Sequence, residues 1–207
     1  MLELHRARIS KLISEPDQGL YDAMNKGIQA ARGKYILFLN AGDRLAHKNV
    51  VSVFQKESFT AEIIVGDIRV IMADGREFFR TSLEKPLDQN LLYWRSLPHQ
   101  ATFVKKELFD KFGVYDLSFK IIADWEFFAR VIVRHHIPPV AWSHCVSVYA
   151  NNGVSANLGN RLQLRQERQR IRQLHFPLHY RWRRNFNEGW GGLIHRIRTQ
   201  IRTNPTT

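Results

Sequence analysis

The chain has a single cysteine, Cys145. That excludes an internal disulfide framework and fits a reducing compartment. No apolar run approaches the ~20 residues that cross a bilayer. The N-terminal residues Met1-Leu2-Glu3-Leu4-His5-Arg6-Ala7-Arg8 lack the apolar core of a secretory signal. The expected location is cytoplasmic, at most peripheral on the inner membrane face. Acid is scarce at one end. From Arg161 onward, eleven arginines and no lysine stand against two acids, Glu167 and Glu188, an excess of nine. The whole chain carries +12, so the 160 residues before Arg161 hold only the remaining three. The body is nearly balanced and the tail is strongly basic.

What is present is enough for one hydrophobic core: 207 residues, 44% of them hydrophobic and 12% aromatic. Leu20, Ala23, Met24, Gly27, Ile28 and Ala31 recur at three- and four-residue spacing, which predicts a helix over 20–32. Gly33 is a plausible stop for it. Residues 35–39 form an apolar run of strand length, expected to be buried on both faces as in a parallel sheet. A short strand is expected at 9–13, a helix at 48–56 and a buried strand at 63–65. A hairpin over 68–72 and 76–80 turns at Ala73-Asp74-Gly75. Helices are expected at 105–112, 124–134 and 157–174, a strand at 140–149, and a turn at Asn151-Asn152-Gly153. Helix alternating with buried strand implies an α/β layered fold, and the hairpin makes its sheet mixed.

Asn40-Ala41-Gly42-Asp43 follows the apolar run, at the end of a strand where open α/β sheets bind ligands. A carboxylate beside an amide oxygen suits Mg²⁺, which takes one or two protein carboxylates and completes its shell with phosphate and water. Asp43 suits a helix cap or turn equally well. Glu15-Pro16-Asp17 could lie near the same crevice, with Asp17 accepting from a ribose or base. Asp22 and Asn25 also suit the first turn of a helix. Asp124 is either an N-cap or a general base, and Glu126 a first-turn acid or its partner. His99-Gln100, in a loop after Pro98, could touch substrate.

In combination these segments resemble a known family. Glu15-Pro16-Asp17, Gly19, Tyr21-Asp22-Ala23-Met24-Asn25-Lys26-Gly27 and Phe38-Leu39-Asn40-Ala41-Gly42-Asp43 come first. His99-Gln100-Ala101-Thr102-Phe103, Phe112-Gly113-Val114-Tyr115-Asp116 and Ala123-Asp124-Trp125-Glu126 follow. Asn152-Gly153-Val154-Ser155 then precedes an arginine-rich helix. Over residues 9–175 this resembles the family 2 glycosyltransferases, in particular the bacterial group that builds extracellular polysaccharides. The resemblance implies a GT-A-like (Rossmann-like) fold and a glycosyltransferase activity that inverts the anomeric centre. It implies a nucleotide-sugar donor, a glycan or lipid-linked acceptor, and Mg²⁺ or Mn²⁺ as cofactor. Asp43 with Asn40 matches the metal-binding motif. Glu15, Asp17, Asn25 and Lys26 match the donor segment, and His99, Gln100 and Trp125 lie in substrate-contacting motifs. Asp124 matches the general base and Glu126 the second acid of that motif.

One departure stands out. The family usually opens with a strand, a helix and a second strand ending in an acidic motif, and nothing in this chain matches them. A truncated or mis-started product fits this, and so does a genuine short variant that is inactive or completed by a partner. By itself the chain is expected to hold a nucleotide sugar weakly. The expected organisation is a partial GT-A domain over 1–156 and an arginine-rich helical extension over 157–207. In that extension Trp182, Phe186 and Trp190 among arginines suit an anionic membrane surface. A nucleic-acid-binding module would explain the charge but not Asp43 or Asp124, and no nucleic-acid motif is recognised. A non-catalytic scaffold is the third reading.

Overall fold

The computed structural model describes residues 3–72, 74–82, 87–150, 158–178 and 180. Six strands form one mixed sheet: β1 (Tyr35–Ile36), β2 (Arg44–Leu45), β3 (Ile63–Ile71), β4 (Glu77–Arg80), β5 (Thr102–Lys105) and β6 (Pro139–Ala150). Their order is β1-β5-β3-β6-β2, with β4 paired to β3. Only β3 and β6 run parallel; the other pairs are antiparallel.

Strand β3 is central because Ile63, Ile64 and Val65 are all buried. Its side chains alternate between the two faces. Ile63 and Val65 face a core with helices α1 (Leu20–Ala30), α3 (Gln89–Trp94), α4 (Lys106–Phe112), α5 (Ala123–Phe128) and α6 (Arg161–His175). Ile64, Ile68 and Val70 face a smaller core with α2 (Val50–Lys56), where Phe54 stacks on Phe103 at 3.8 Å between ring centroids. At Gly66 the pairing with β6 slips through a bulge. Only glycine fits there, because an added Cβ would lie 2.3 Å from Val146 Cγ2 and 3.0 Å from the His144 carbonyl oxygen.

The expected helices at 20–32, 48–56 and 105–112 are present within a few residues. The strands expected at 63–65 and 68–72 are one continuous strand, carried across the bulge. Two expectations fail. Residues 35–39 are not a buried parallel strand. Only Tyr35–Ile36 pair, antiparallel to β5. Phe38 then turns toward the rings of Phe109 and Tyr115, and Leu39 is exposed. Residues 9–13 form no strand; they follow a 3-10 turn over Glu3–Arg8, and Ile13 finds no cover. The helix expected at 124–134 is α5 followed by a π-helical stretch, Ala129–Arg134.

Helix α6 is part of the packed body: Ile171 and Phe176 enter the larger core. The turn at 151–153, the expected division at 156/157, and Trp182, Phe186 and Trp190 lie outside the described residues.

Candidate active site

Helix α1 sets the geometry. Tyr21, Met24, Asn25 and Ile28 recur at three- and four-residue spacing and are buried. Asp124 sits in the first turn of α5, also buried. Its Oδ1 accepts a hydrogen bond from the Tyr21 hydroxyl at 2.8 Å. Its Oδ2 lies 3.2 Å from His99 Nδ1, and His99 Nε2 lies 3.0 Å from Asn40 Nδ2. A neutral imidazole with the proton on Nδ1 satisfies both contacts, donating to Asp124 and accepting from Asn40. The Asn40 backbone N–H donates to Asp43 Oδ2 at 2.9 Å, and the Asp43 N–H donates back to the Asn40 carbonyl at 2.9 Å. Gly42, at φ 95°, allows this tight turn.

A continuous polar chain therefore runs Tyr21, Asp124, His99, Asn40, Asp43. It joins four segments far apart in sequence. Burial pushes the Asp43 carboxyl above the usual range, against the opposing pull of the Asn40 N–H. An acid held this way gains from a cation. Asp124 is not the N-cap of its helix; Ile122 occupies that position without a side-chain cap. The segment leading into the helix is held from α6. Glu167 Oε1 accepts from the Lys120 N–H at 2.9 Å, and Oε2 accepts from Ile121 and Ile122, each at 3.1 Å.

Other expected site residues lie elsewhere. Glu126 is buried, but its carboxylate faces Arg130 (3.0 and 3.1 Å) and His175 Nε2 (2.9 Å). Asn25 clamps the backbone of Tyr115, donating to its carbonyl at 2.9 Å and accepting from its N–H at 3.0 Å. Trp125 is buried and donates to the Leu92 carbonyl at 2.7 Å. Both are occupied in packing. Gln100 is buried in the 3-10 turn beside His99.

Glu15, Asp17 and Lys26 gather on the opposite side of α1. They line a cleft of about 850 Å³ with Ser10, Lys11, Ala23 and Gly27. Ala23, Lys26, Gly27 and Ala30 point away from the Tyr21 face, given 3.6 residues per turn. The cleft and the Asp124 chain are thus separated by the helix. Lys26 is already neutralised: Nζ lies 3.0 Å from Glu15 and 3.6 Å from Asp22, and donates to the Pro16 carbonyl at 2.8 Å. The Glu15 carboxylate, and to a lesser degree Asp22, holds the ammonium pKa above its ordinary value despite some desolvation.

No group of three or more His, Cys, Asp or Glu side chains converges as a metal cage among the described residues. Asp43 with Asn40 does fit a cation that takes one protein carboxylate and finds the rest of its shell in phosphate and water.

The glycosyl transferase family 2 profile matches residues 3–116, more than half of the chain. The chain belongs to this family. The matched span contains Asn40, Asp43 and His99, and Asp124 lies just beyond it. A PGL/p-HBAD biosynthesis glycosyltransferase of Mycobacterium bovis is 39% identical over 119 residues, covering 56% of this chain and 44% of that protein. An uncharacterized glycosyltransferase of Mycobacterium tuberculosis is 38% identical over 120 residues, covering 56% of this chain and 45% of that protein. This family 2 chain spans a little under half the length of these relatives. The crystal structure of Staphylococcus aureus TarS in complex with UDP superposes with a TM-score of 0.56, at 13% identity, covering 72% of this chain and 46% of that one. That likeness is of fold, and it bears out the GT-A-like mixed sheet with flanking helices.

Two functional candidates escaped the sequence reading. Tyr21 lies in the motif but outside the expected face of Leu20, Ala23, Met24, Gly27, Ile28 and Ala31; the helix is turned so that Tyr21 is buried while Ala23 and Gly27 are exposed. Glu167 did leave a signal: it is the lone acid within an arginine-rich helix.

Proposed function

We propose that this chain carries the catalytic part of a glycosyltransferase that moves a sugar from a nucleotide-sugar donor to a hydroxyl acceptor, a glycan or lipid-linked glycan, with inversion. The observation that supports it is the hydrogen-bonded chain from Asp124 through His99 and Asn40 to Asp43. It puts a carboxylate with a spare oxygen lone pair and a cation-fitting acid at two ends of one connected unit. Asp124 takes the proton from the acceptor hydroxyl as the oxygen attacks the anomeric carbon. His99 orients Asp124 by its Nδ1–H, and Asn40 fixes that tautomer through Nε2. Asp43 and Asn40 would hold the Mg²⁺ or Mn²⁺, which when bound would neutralise charge on the departing diphosphate.

Glu15, Asp17 and Lys26 would contact the nucleotide from the cleft side. Because Lys26 is already paired, its contribution to the diphosphate is small. Glu126, tied to Arg130 and His175, holds the helix that carries the base. The basic C-terminal region would place the enzyme on an anionic membrane surface on the cytoplasmic side, beside a lipid-linked acceptor. No helix among the described residues is long and apolar enough to cross a membrane.

Calorimetry with UDP-sugars in the presence and absence of Mn²⁺ tests the donor half. Cation-dependent heat that disappears in Asp43→Ala is expected. Identical titrations for the two proteins would remove Asp43 from the donor site.

A further inference from the structure

We propose that Tyr21 is a positioning residue for Asp124, fixing Oδ1 so that Oδ2 is the oxygen that takes the acceptor's proton. This rests on the reading of Asp124 as base. The Tyr21 hydroxyl has one hydrogen and two acceptors within reach: Asp124 Oδ1 at 2.8 Å and the Ile121 carbonyl at 2.9 Å. Among the described residues, Tyr21 from α1 and His99 from the turn after Pro98 contact Asp124, and Tyr115, from the loop after α4, lies close enough to feel its charge. Burial, and after it the charge of Asp124, pushes both phenols well above their ordinary pKa. Tyr21 therefore stays protonated and remains a donor.

When Asp124 is ionised, the hydrogen turns to Oδ1, because a charge-assisted bond is roughly twice as strong as a neutral one. Oδ2 then has only the longer contact to His99 and keeps a lone pair for the acceptor. When the acceptor hydroxyl gives its proton to Oδ2, Oδ1 becomes a carbonyl oxygen. The Tyr21 hydrogen then swings to the Ile121 carbonyl. Both partners are already in place, so the hydroxyl hydrogen has an acceptor in either state and the backbone need not move. The ring is separately anchored, tilted against Tyr115 at 5.4 Å. Removing the hydroxyl alone leaves that packing.

The test needs no substrate. In the full chain, the Asp124 ¹³Cγ resonance is assigned by its loss in Asp124→Asn and titrated in wild type and Tyr21→Phe. A hydrogen bond donated to the charged form favours that form, so its loss should move the Asp124 midpoint upward. If Tyr21→Phe does not fold, 3-fluorotyrosine at position 21 replaces it. As a stronger donor, it should move the midpoint down. An unmoved midpoint in either variant, even with a lower melting temperature, assigns Tyr21 to packing alone and overturns the proposal. Sugar transfer by Asp124→Asn is a separate result: undiminished transfer would end the base assignment, whatever the titration shows.

Discussion

Glu167→Gln should destabilise the protein more than a one-atom change suggests. The Glu167 carboxylate is buried and holds four donors. Lys120 N–H and Gln163 Nε2 share Oε1, and Ile121 and Ile122 N–H share Oε2. A glutamine can keep only one oxygen. In its best orientation the new amide nitrogen replaces Oε1 and Gln163 flips to present its own oxygen. The Lys120 N–H is then left facing a donor. The Lys120 bond is only partly buried, so orphaning its N–H costs about 1 kcal/mol, the low end for an unmet donor. The two remaining bonds lose their charge assistance, which brings the expected loss to about 3 kcal/mol. For a chain of this size that lowers Tm by about 6–12 °C. Differential scanning fluorimetry gives the shift. Hydrogen exchange should locate it, with the amides of Lys120, Ile121 and Ile122 losing protection first. The consequence reaches the site, since these residues lead directly into Asp124 and Ile121 supplies a carbonyl to Tyr21. A Tm within about 2 °C of wild type, less than 1 kcal/mol at this size, would show that α6 does not pin this loop.

Asp43→Asn separates stability from function. Burial raises the Asp43 carboxyl, so its ionisation works against the fold. The stability tied to its protonated form is present below its unfolded pKa and is lost as pH rises through the folded value. The variant should therefore be at least as stable as wild type at neutral pH, with the gap closing in acid, as melting curves against pH would show. Glu126→Gln should cost about 2–4 kcal/mol, because it leaves Arg130 and His175 without their buried anion. Its transfer rate per folded molecule should hold; a dead but fully stable variant would make Glu126 a reacting group. Gly66→Ala drives a methyl into Val146 and the β6 backbone. It should cost about 1–3 kcal/mol by chemical denaturation, as overpacking does.

Periodic segments were legible from the chain. Helix α1, the β3–β4 hairpin and the α4–Gly113 stop follow from spacing and turn residues, and so did the layered α/β class. Residues 35–39 misled because near-continuous apolarity looks the same whether a run is a central strand or leaves the sheet to fill a core, as Phe38 does. The candidate site was legible as residue types, through Asp43, His99 and Asp124. Its connectivity was not. Asn40, His99 and Asp124 meet across separations of 59 and 25 residues, and no local pattern encodes that. Asn25, Lys26, Trp125 and Glu126 show the reverse: motif residues whose polar atoms are engaged with other parts of the protein. The donor-segment residues split across α1 because a helix turns neighbours such as Asn25 and Lys26 to different sides.

The direct test of the central claim compares sugar transfer by wild type and Asp124→Asn, using a uridine nucleotide sugar, an acceptor glycan and Mn²⁺. Asparagine keeps an oxygen for Tyr21 but cannot take a proton near neutral pH. General-base catalysis contributes typically about 10²–10⁴-fold, so the variant should lose at least a hundredfold in kcat per folded molecule. Transfer at the wild-type rate by a folded Asp124→Asn protein would contradict the account.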